Sequence, residues 1–501
     1  MHHNLVRDKQ AFWKAPFCGL FSMLKYRKYV FFRGYSIQVG YKLWNLWYNY
    51  DIMVGVIMDE HKVKSVLKTI YEEMNIEPVD EEYNRYLEEK ILMVYNYEKE
   101  NNIPLDEFIL RIKSLIPDFI EQYKRISIDV EQMKNLQNSK FGISINFELI
   151  DLFEISKQCN NNEEFIKLRD KYFESLGKDP RFQGFDYIFP GLRDITYEDT
   201  IKIYNTIINE VDCITPEWAG KMRCILDIGK SLFVGNKINM EIFDFEYLDK
   251  LANFARSNNM KLRMHNIIWH KDFMPCLENA SSEQIYKFLD VYIGELSKRY
   301  SDIFYSIDVL NEIASDTPDV VLRDSRWKDK LGEDYYINIL RMAKKHFPNT
   351  DLYYNEYGEE RPEKRKNIVE IIKRIQEVEE RERITLLDGI GIQSHYFTKT
   401  TDESIKGAYV DYAATGKKLQ ITELYVLNNG EKQDFNYQTH RVFRTVLDCA
   451  ISYGVQLFNV WGVSSNISWK SGHIDNYLDD KNNVSPYSRK VVDIYSRKKK
   501  S

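Results

Sequence analysis

The 501-residue sequence contains no run of about 18 consecutive apolar residues and no phosphate-binding glycine motif of the form GxGxxG or GxxxxGK[ST]. The first absence argues against a transmembrane helix, and the second argues against a nucleotide-binding open sheet. Glycine (22) and proline (12) are too few, and aromatic residues (14%) too many, for a collagen-like or largely disordered chain. A net charge of −6 lacks the basic excess of a nucleic-acid binder, so we predict no nucleic-acid partner.

Cysteine and metal-ligand motifs are also sparse. The six cysteines are scattered without a CxxC pair, and neither HExxH nor GxSxG occurs. Because a catalytic zinc needs three converging protein ligands, the pattern predicts no metal site and no cofactor. The uncharged run at residues 15–24 lacks a small-residue cleavage site, which favours a cytoplasmic protein by default and leaves secretion open.

The chain divides near residue 139. Residues 12–50 hold fourteen aromatic residues interleaved with lysine and arginine, which fits either a packed amphipathic segment or a surface for membrane headgroups or a partner. Residues 59–138 repeat apolar residues at helical spacing. We therefore predict a mainly helical, aromatic-rich region of unknown role at 1–138 and a second domain at 139–495.

Beyond residue 139, short β-type runs alternate with amphipathic helical stretches. The strand-like runs are 140–147, 211–215, 261–269, 305–311, 351–357, 388–395, 418–424 and 454–462, and helical patterns between them include 245–259, 282–300, 333–347 and 437–453. Strand–helix alternation predicts a parallel sheet, and eight such units fit a closed (β/α)8 barrel with insertions. A doubly wound open sheet is the alternative, but such a sheet is expected to carry a glycine-rich phosphate loop, which the sequence lacks.

Polar and aromatic side chains follow almost every predicted strand, at the edge where such barrels place catalytic groups. These residues are Glu217, Lys221, His265, Trp269, His270, Asn311, Glu312, Asn355, Glu356, Gln393, His395, Glu423, Trp461 and Trp469. A barrel with a purely structural role has no need of so many.

Two of the carboxylates, Glu312 and Glu423, each come directly after a β-type run, on the fourth and seventh predicted strands. In a closed barrel those strands face each other across the mouth. Glycoside hydrolysis uses such a pair, in which one carboxyl protonates the leaving oxygen while the other is ionised and attacks the anomeric carbon. A separation of about 5–5.5 Å would predict retention of configuration, and a wider gap would predict inversion.

The neighbouring residue types suit a sugar. Trp461 and Trp469 offer flat apolar faces for sugar rings. Hydrogen bonds to hydroxyl groups can come from a second group of residues, Lys221, His265, Asn311 and Gln393. His395 is placed to hydrogen-bond Glu423 and so to hold its ionisation.

Eight stretches after residue 210 stand out together: TPEWAGKM (215–222), FARSNNMKLRMHNIIWH (254–270), DVLNE (308–312), LGEDYYINILRMAKK (331–345), YYNEYG (353–358), GIGIQSHY (389–396), ITEL (421–424) and WGVSSNISW (461–469). In order and roughly in spacing they resemble glycoside hydrolase family 10, the endo-β-1,4-xylanases. The resemblance covers about residues 141–487. It implies a (β/α)8 barrel and a retaining double-displacement mechanism.

By that resemblance, Glu312 is the acid/base and Glu423 the nucleophile. The positions that shape the subsite for the sugar under attack are Lys221, His265, Trp269, Asn311, Gln393, His395, Trp461 and Trp469, and Glu217 binds the next sugar outward. The implied substrate is a β-1,4-linked polysaccharide or oligosaccharide, with xylan first.

The chain departs from the family at four positions near these residues. It has Trp218 where the family usually has asparagine, and Glu356, Tyr425 and Ser465 where it usually has aspartate. We expect retained chemistry with a glycan that these changes leave open. The alternatives are a catalytically inactive barrel that binds glycans or acts as a scaffold, and an active glycosidase on a different polysaccharide.

Overall fold

The computed structural model describes residues 68, 87, 88, 91, 111–116, 136, 139–179, 190–427, 435–467, 477–479 and 481–496. Residues 111–116 are helical, as the apolar spacing of 59–138 predicts. Trp469 and the aromatic segment 12–50 lie outside the described residues. The membrane-surface and cytoplasmic assignments therefore stay predictions.

The described part of the chain contains eleven strands, eight of which form a closed parallel barrel. The strands in chain order are β1 (Lys140–Ile145), β2 (Cys213–Pro216), β3 (Phe233–Val234), β4 (Lys237–Ile238), β5 (Lys261–Trp269), β6 (Phe304–Asn311), β7 (Asp351–Glu356), β8 (Gly389–Ile392), β9 (His395–Phe397), β10 (Lys418–Leu427) and β11 (Leu457–Val460). The barrel order is β1-β2-β5-β6-β7-β8-β10-β11, and β11 pairs with β1 to close it. The predicted (β/α)8 barrel is confirmed.

Helices follow the strands around the outside of the barrel. They are α1 (Phe147–Ser156), α2 (Asn162–Leu176), α3 (Pro190–Asp194), α4 (Tyr197–Glu210), α5 (Met222–Ile225), α6 (Glu246–Ser257), α7 (Ser282–Tyr300), α8 (Arg326–Leu331), α9 (Tyr335–His346), α10 (Pro362–Glu382), α11 (Asp402–Ala413), α12 (Phe435–Ser452) and α13 (Pro486–Tyr495). The four helical patterns read from the sequence correspond to α6, α7, α9 and α12. None of the described helices has the length and apolar character needed to cross a membrane.

The helices form where the sequence combines an apolar stripe with a terminal signal. A capping box of Ser281 and Gln284 starts α7, in which each residue satisfies a backbone N–H near the other. On α6 the buried face consists of Tyr247, Leu248, Leu251, Ala252, Phe254 and Ala255. Their three- and four-residue spacing is the stripe that packs α6 against β2 and β5.

Seven of the eight predicted runs differ from the observed strands by one to three residues at an end, and two of these differences lie beside the site. The run 388–395 is broken, because β8 ends at Ile392 and β9 resumes at His395, with Ser394 between them at φ 59°. The run 418–424 is too short, because β10 continues to Leu427 and gains β9 as its partner. Glu423 therefore lies inside a strand and not after it, beside the break in the neighbouring strand.

Residues 132–430 and 435–501 form one compact unit that contains the barrel, and residues 1–131 with 431–434 form a second. The domain limits of 1–138 and 139–495 stay a prediction. Within the barrel unit, the insertion between Met222 and Phe243 contains α5 and the antiparallel pair β3–β4.

Candidate active site

Glu423 reaches the barrel mouth because β10 is irregular at this point. The β10–β11 register shifts between Ile421 and Leu424. Thr422 and Glu423 would point to opposite faces of a regular strand. Here both contact Asn355: Thr422 Oγ1 donates to Asn355 Oδ1 at 2.6 Å, and Asn355 Nδ2 donates to Glu423 Oε1 at 2.8 Å. The bulge thus turns the carboxylate towards the catalytic end of the barrel.

Two imidazoles set the charge of the Glu423 carboxyl. His395 Nε2 lies 3.1 Å from Glu423 Oε2, and His265 Nδ1 lies 3.9 Å from Oε1. Burial of the carboxyl by itself raises its pKa, but the His265 and His395 charges and the His395 hydrogen bond outweigh burial and lower the pKa to about 2. Glu423 is therefore ionised across the neutral pH range although it is only 5% exposed.

A buried ion pair holds His265 in place. Asp308 Oδ2 lies 2.8 Å from His265 Nδ1, and the same oxygen accepts a hydrogen bond from Arg263. All three side chains are buried, and they come from the adjacent strands β5 and β6. A carboxylate on Nδ1 orients the ring and so holds the imidazole beside Glu423.

Glu312 follows β6 in an unusual backbone conformation. Its φ is 56°, in the left-handed region, which is energetically unfavourable for any residue with a side chain. Two hydrogen bonds fix this conformation: Glu312 N donates to Asn355 O at 3.0 Å, and Arg323 Nε donates to Glu312 O at 3.0 Å. The acid side chain is therefore aimed by its backbone.

The Glu312 carboxyl has neighbours unlike those of Glu423. Gln393 Nε2 donates to Glu312 Oε1 at 3.2 Å, and His270 Nδ1 lies 3.6 Å from Oε2. Burial lowers the pKa of His270 to about 4, so this imidazole is uncharged at neutral pH. Glu312 thus has an amide and a neutral imidazole beside it where Glu423 has two imidazoles that lower its pKa.

Side-chain amides connect the two carboxylates. Asn355 Nδ2 donates to Asn311 Oδ1 at 3.0 Å as well as to Glu423, and Gln393 Nε2 lies 3.4 Å from the same Asn311 oxygen. The Asn355 side chain needs a glycine beside it, because a Cβ on Gly391 would lie 2.4 Å from Asn355 Oδ1. One hydrogen-bonded chain therefore fixes Glu312 and Glu423 relative to each other.

A third carboxyl, Glu217, lies just beyond β2 and is bound by neutral donors. Ser144 Oγ donates to Glu217 Oε1 at 3.1 Å, and Asn146 Nδ2 donates to Oε2 at 3.3 Å. Burial raises the pKa of this carboxyl to about 7, and the two hydrogen bonds offset only part of that effect. Glu217 therefore changes charge near neutral pH.

Aromatic residues complete the rim. The Trp461 ring meets His265 edge-on with the ring centroids 5.6 Å apart, and the Lys221 ammonium lies 4.7 Å from the Trp269 ring centroid. Tyr425, which replaces the family's aspartate, stacks on His395 at 4.2 Å between centroids. It supports the imidazole by contact where a carboxylate would do so by charge.

The glutamate that replaces aspartate on β7 also has a positioning contact. Glu356 Oε2 accepts from Ala314 N at 2.9 Å, two residues after Glu312, and Oε1 pairs with Lys364 Nζ at 3.1 Å. Its longer side chain holds the segment that follows Glu312. Ser465 lies on the partly buried loop after β11, where its N–H donates to Leu478 O at 3.3 Å.

The structure brings together most of the residues that the sequence singled out. Hydrogen bonds or ring contacts join Asn311, Glu312, Gln393, His395, Glu423, His265 and Trp461, while Lys221 contacts Trp269 and Glu217 is bound to the β1 side of the rim. Asn355 and His270 were singled out as strand-end residues but given no role, and Asp308 was not singled out at all. Asn355 and His270 stand at strand ends, which was a usable signal, whereas Asp308 lies inside a strand.

No group of three or more His, Cys, Asp or Glu side chains suited to a metal ion occurs among the described residues.

Comparison with known proteins places this geometry in a family. Residues 189–493 match the model of Glycosyl hydrolase family 10. Endo-1,4-beta-xylanase A of Caldicellulosiruptor saccharolyticus is 30% identical over 248 residues, which cover 46% of this chain and 71% of that protein. Beta-1,4-xylanase of Dictyoglomus thermophilum is 27% identical over 241 residues, covering 46% of this chain and 67% of that protein.

Solved structures agree in fold. A psychrophilic glycoside hydrolase family 10 endo-beta-1,4-xylanase has a TM-score of 0.54 at 22% identity, covering 72% of this chain and 98% of that chain. Native xylanase 10B from Thermotoga maritima has a TM-score of 0.53 at 20% identity, covering 73% and 97%. Because the family model spans more than half of the 501 residues, the chain belongs to glycosyl hydrolase family 10.

Proposed function

We propose that this protein is a retaining endo-1,4-β-xylanase that hydrolyses xylan or xylo-oligosaccharides, with Glu423 as nucleophile and Glu312 as acid/base. The observation that carries the proposal is the difference between the two linked carboxyls. Glu423 is buried yet ionised beside two imidazoles, and the amide chain ties it to a Glu312 with neutral neighbours. The xylanase names of the relatives support the choice of substrate.

In the first step, the Glu312 carboxyl donates its proton to the glycosidic oxygen while Glu423 attacks the anomeric carbon. The bond to the leaving sugar breaks, and a covalent glycosyl–Glu423 ester forms. In the second step, the Glu312 carboxylate takes a proton from water, and the resulting oxygen nucleophile displaces Glu423. Two inversions give net retention.

The remaining rim residues would bind the substrate, a β-1,4-linked polysaccharide or oligosaccharide. We assign Lys221, His265, Trp269, Asn311, Gln393, His395, Trp461 and Trp469 to the sugar under attack and Glu217 to the next sugar outward. The described members combine hydrogen-bonding groups with the aromatic faces of Trp269 and Trp461, which suits the binding of a sugar.

The decisive experiment is hydrolysis of an aryl β-xylobioside by the wild type and by Glu423→Ala. We expect aryl release by the wild type alone, because no covalent intermediate can form without Glu423. Proton NMR of the first sugar product is expected to show the β-anomer. An initial α-anomer would refute the retaining mechanism.

If a correctly folded wild type released no aryl group, the xyloside would be rejected as a substrate. A panel of other β-glycosides, together with binding measured by calorimetry, would then distinguish a different glycan from the non-catalytic barrel. Sugar binding without any turnover would support the latter.

A further inference from the structure

The Lys221 side chain is enclosed by two indole rings. Its ammonium nitrogen lies 4.2 Å from the centroid of the Trp218 ring and 4.7 Å from that of Trp269. Lys221 is only 6% exposed. A cation over the face of tryptophan is attracted by the ring's quadrupole, and the attraction strengthens when water is excluded.

The enclosed ammonium group keeps its hydrogen-bond donors available. Within the part of the chain that the structure describes, Lys221 Nζ makes no hydrogen bond and no ion pair, although Glu423 is the strongest of its electrostatic neighbours and Glu312 is another. The three N–H groups of this ammonium thus stay available as donors to the hydroxyl groups of a sugar under attack. The two rings hold the ammonium from the sides and leave these donors for the sugar.

One tight turn links Trp218 to Lys221. Lys221 N donates to Trp218 O at 2.8 Å, so the two side chains leave the same turn three residues apart. The turn packs against β5, because a Cβ on Gly220 would lie 2.4 Å from His265 O. The end of β5 supplies Trp269, so the second ring is held by the strand against which the turn packs.

We propose that Trp218 is a positioning residue, which clamps Lys221 against Trp269 so that the ammonium donors meet the sugar under attack in one fixed arrangement. The inference rests on the proposed glycosidase function and deepens it. Lysine loses much rotamer entropy when it is ordered, and the clamp makes that loss in the free enzyme before substrate binds. Trp218 therefore acts through Lys221 and not as a separate surface for the next sugar.

The first test compares two substrates and two backgrounds. Trp218→Asn is expected to lower kcat/KM about ten-fold on an aryl β-xyloside, which fills only the subsite of the sugar under attack, and by a similar factor on the aryl β-xylobioside. In a Lys221→Met background the same change is expected to cost less than about two-fold, because the group it positions is gone. Tyr453→Asn, at an exposed aromatic residue just before β11 and away from the cleft, is the matched control.

A loss confined to the xylobioside, or an undiminished loss in the Lys221→Met background, would overturn the proposal and make Trp218 a stacking platform for the outer sugar.

The second test does not depend on turnover. In protein labelled with 13C-lysine, the Lys221 side-chain signal, assigned with Lys221→Arg, is expected to be shifted upfield by the two rings and to move towards the exposed-lysine position in Trp218→Asn. An unmoved signal would refute the clamp even in an active enzyme. A clamped signal in a wild type that cleaves neither substrate would reject the proposed function and leave the clamp intact.

Discussion

Two regions of the rim bury a glutamate with opposite electrostatic results. Glu423, which the amide chain links to Glu312, has a pKa of about 2, whereas Glu217, beside the ends of β1 and β2, has a pKa of about 7. Each is 5% exposed, and burial raises the pKa of both. The difference lies in their partners, which are imidazoles at Glu423 and a hydroxyl and an amide at Glu217.

At Glu217 two hydrogen bonds are not enough to keep a buried carboxyl ionised at neutral pH. Ser144 and Asn146 both donate to Glu217, and its pKa is still high. At Glu423 the electrostatic contributions of His265 and His395, together with the His395 hydrogen bond, supply the missing stabilisation. Glu423 thus stays an anion at neutral pH, whereas the Glu217 carboxyl can be neutral or charged.

The largest expected effect distinguishes Glu312, the proposed proton donor, from the ionised Glu423. Glu312→Ala is expected to lower kcat/KM about a thousand-fold on unactivated xylo-oligosaccharides, whose leaving groups need a proton, and far less on an aryl glycoside with an acidic leaving group. Added azide is expected to restore the second step by attacking the glycosyl–Glu423 ester. The measurement is steady-state kinetics over a series of aryl leaving groups.

An equal loss for every leaving group would contradict the acid/base assignment of Glu312. Glu363→Ala, on the first turn of α10, is the matched control and should retain wild-type kinetics.

A smaller effect is expected from disturbing the amide chain without touching a carboxyl. Gly391→Ala places a Cβ 2.4 Å from Asn355 Oδ1, so the Asn355 side chain must move and release Glu423. Misplacement of a reacting group typically costs about 100-fold, so we expect such a loss in kcat with the fold retained by circular dichroism. Gly177→Ala, where a Cβ meets only ordinary contacts, is the control.

Asn355→Ala should lose activity to a similar extent, and the double variant should lose little more. Additive losses would mean that Gly391 acts by another route.

The smallest effects concern stability, and they test the contrast directly with two isosteric changes. The Glu217 pKa is higher in the fold than the ordinary 4.5, so its contribution to stability is present below pH 4.5 and is lost as the pH rises to about 7. Glu217→Gln should therefore gain stability relative to wild type between about pH 4 and pH 8, by up to about 3 kcal/mol. Urea unfolding at both pH values measures this.

Glu423→Gln should show the reverse trend. The Glu423 pKa is lowered from 4.5 to about 2, so its contribution is present above pH 4.5 and is lost as the pH falls towards 2. The deficit of the variant should shrink over that window. If the stability of the two glutamine variants relative to wild type changed with pH in the same direction, the proposed electrostatic difference between Glu217 and Glu423 would be wrong.

Much of this arrangement was predictable from the sequence, because strand–helix alternation and polar strand ends are local signals. The barrel, Glu312 after β6 and the polar ends of β5 and β7 follow from them. Asn355 was visible as a strand-end residue, but its contact with Glu423 depends on the bulge in β10. Such a bulge arises from pairing between distant strands and leaves no local pattern.

The charge states were harder to predict for the same reason. Glu217 and Glu423 follow similar apolar runs in the sequence, yet their pKa values differ by the partners that β1, β5 and β9 bring to them. The predicted strand 388–395 was wrong at its C-terminal end. There Ser394 N donates to Glu359 Oε1 at 3.0 Å, and the ladder between β8 and β10 has already ended. These features belong to tertiary contacts.

The stacking of Tyr425 on His395 has a consequence for how this enzyme diverges from its relatives. A flat aromatic contact carries no formal charge, so Tyr425 supports the imidazole beside Glu423 without an acid at position 425. The same geometry is kept by a different force. Different residues can thus maintain the same active-site geometry in different members of a family. Contacts in the structure reveal this more directly than residue identities in the sequence.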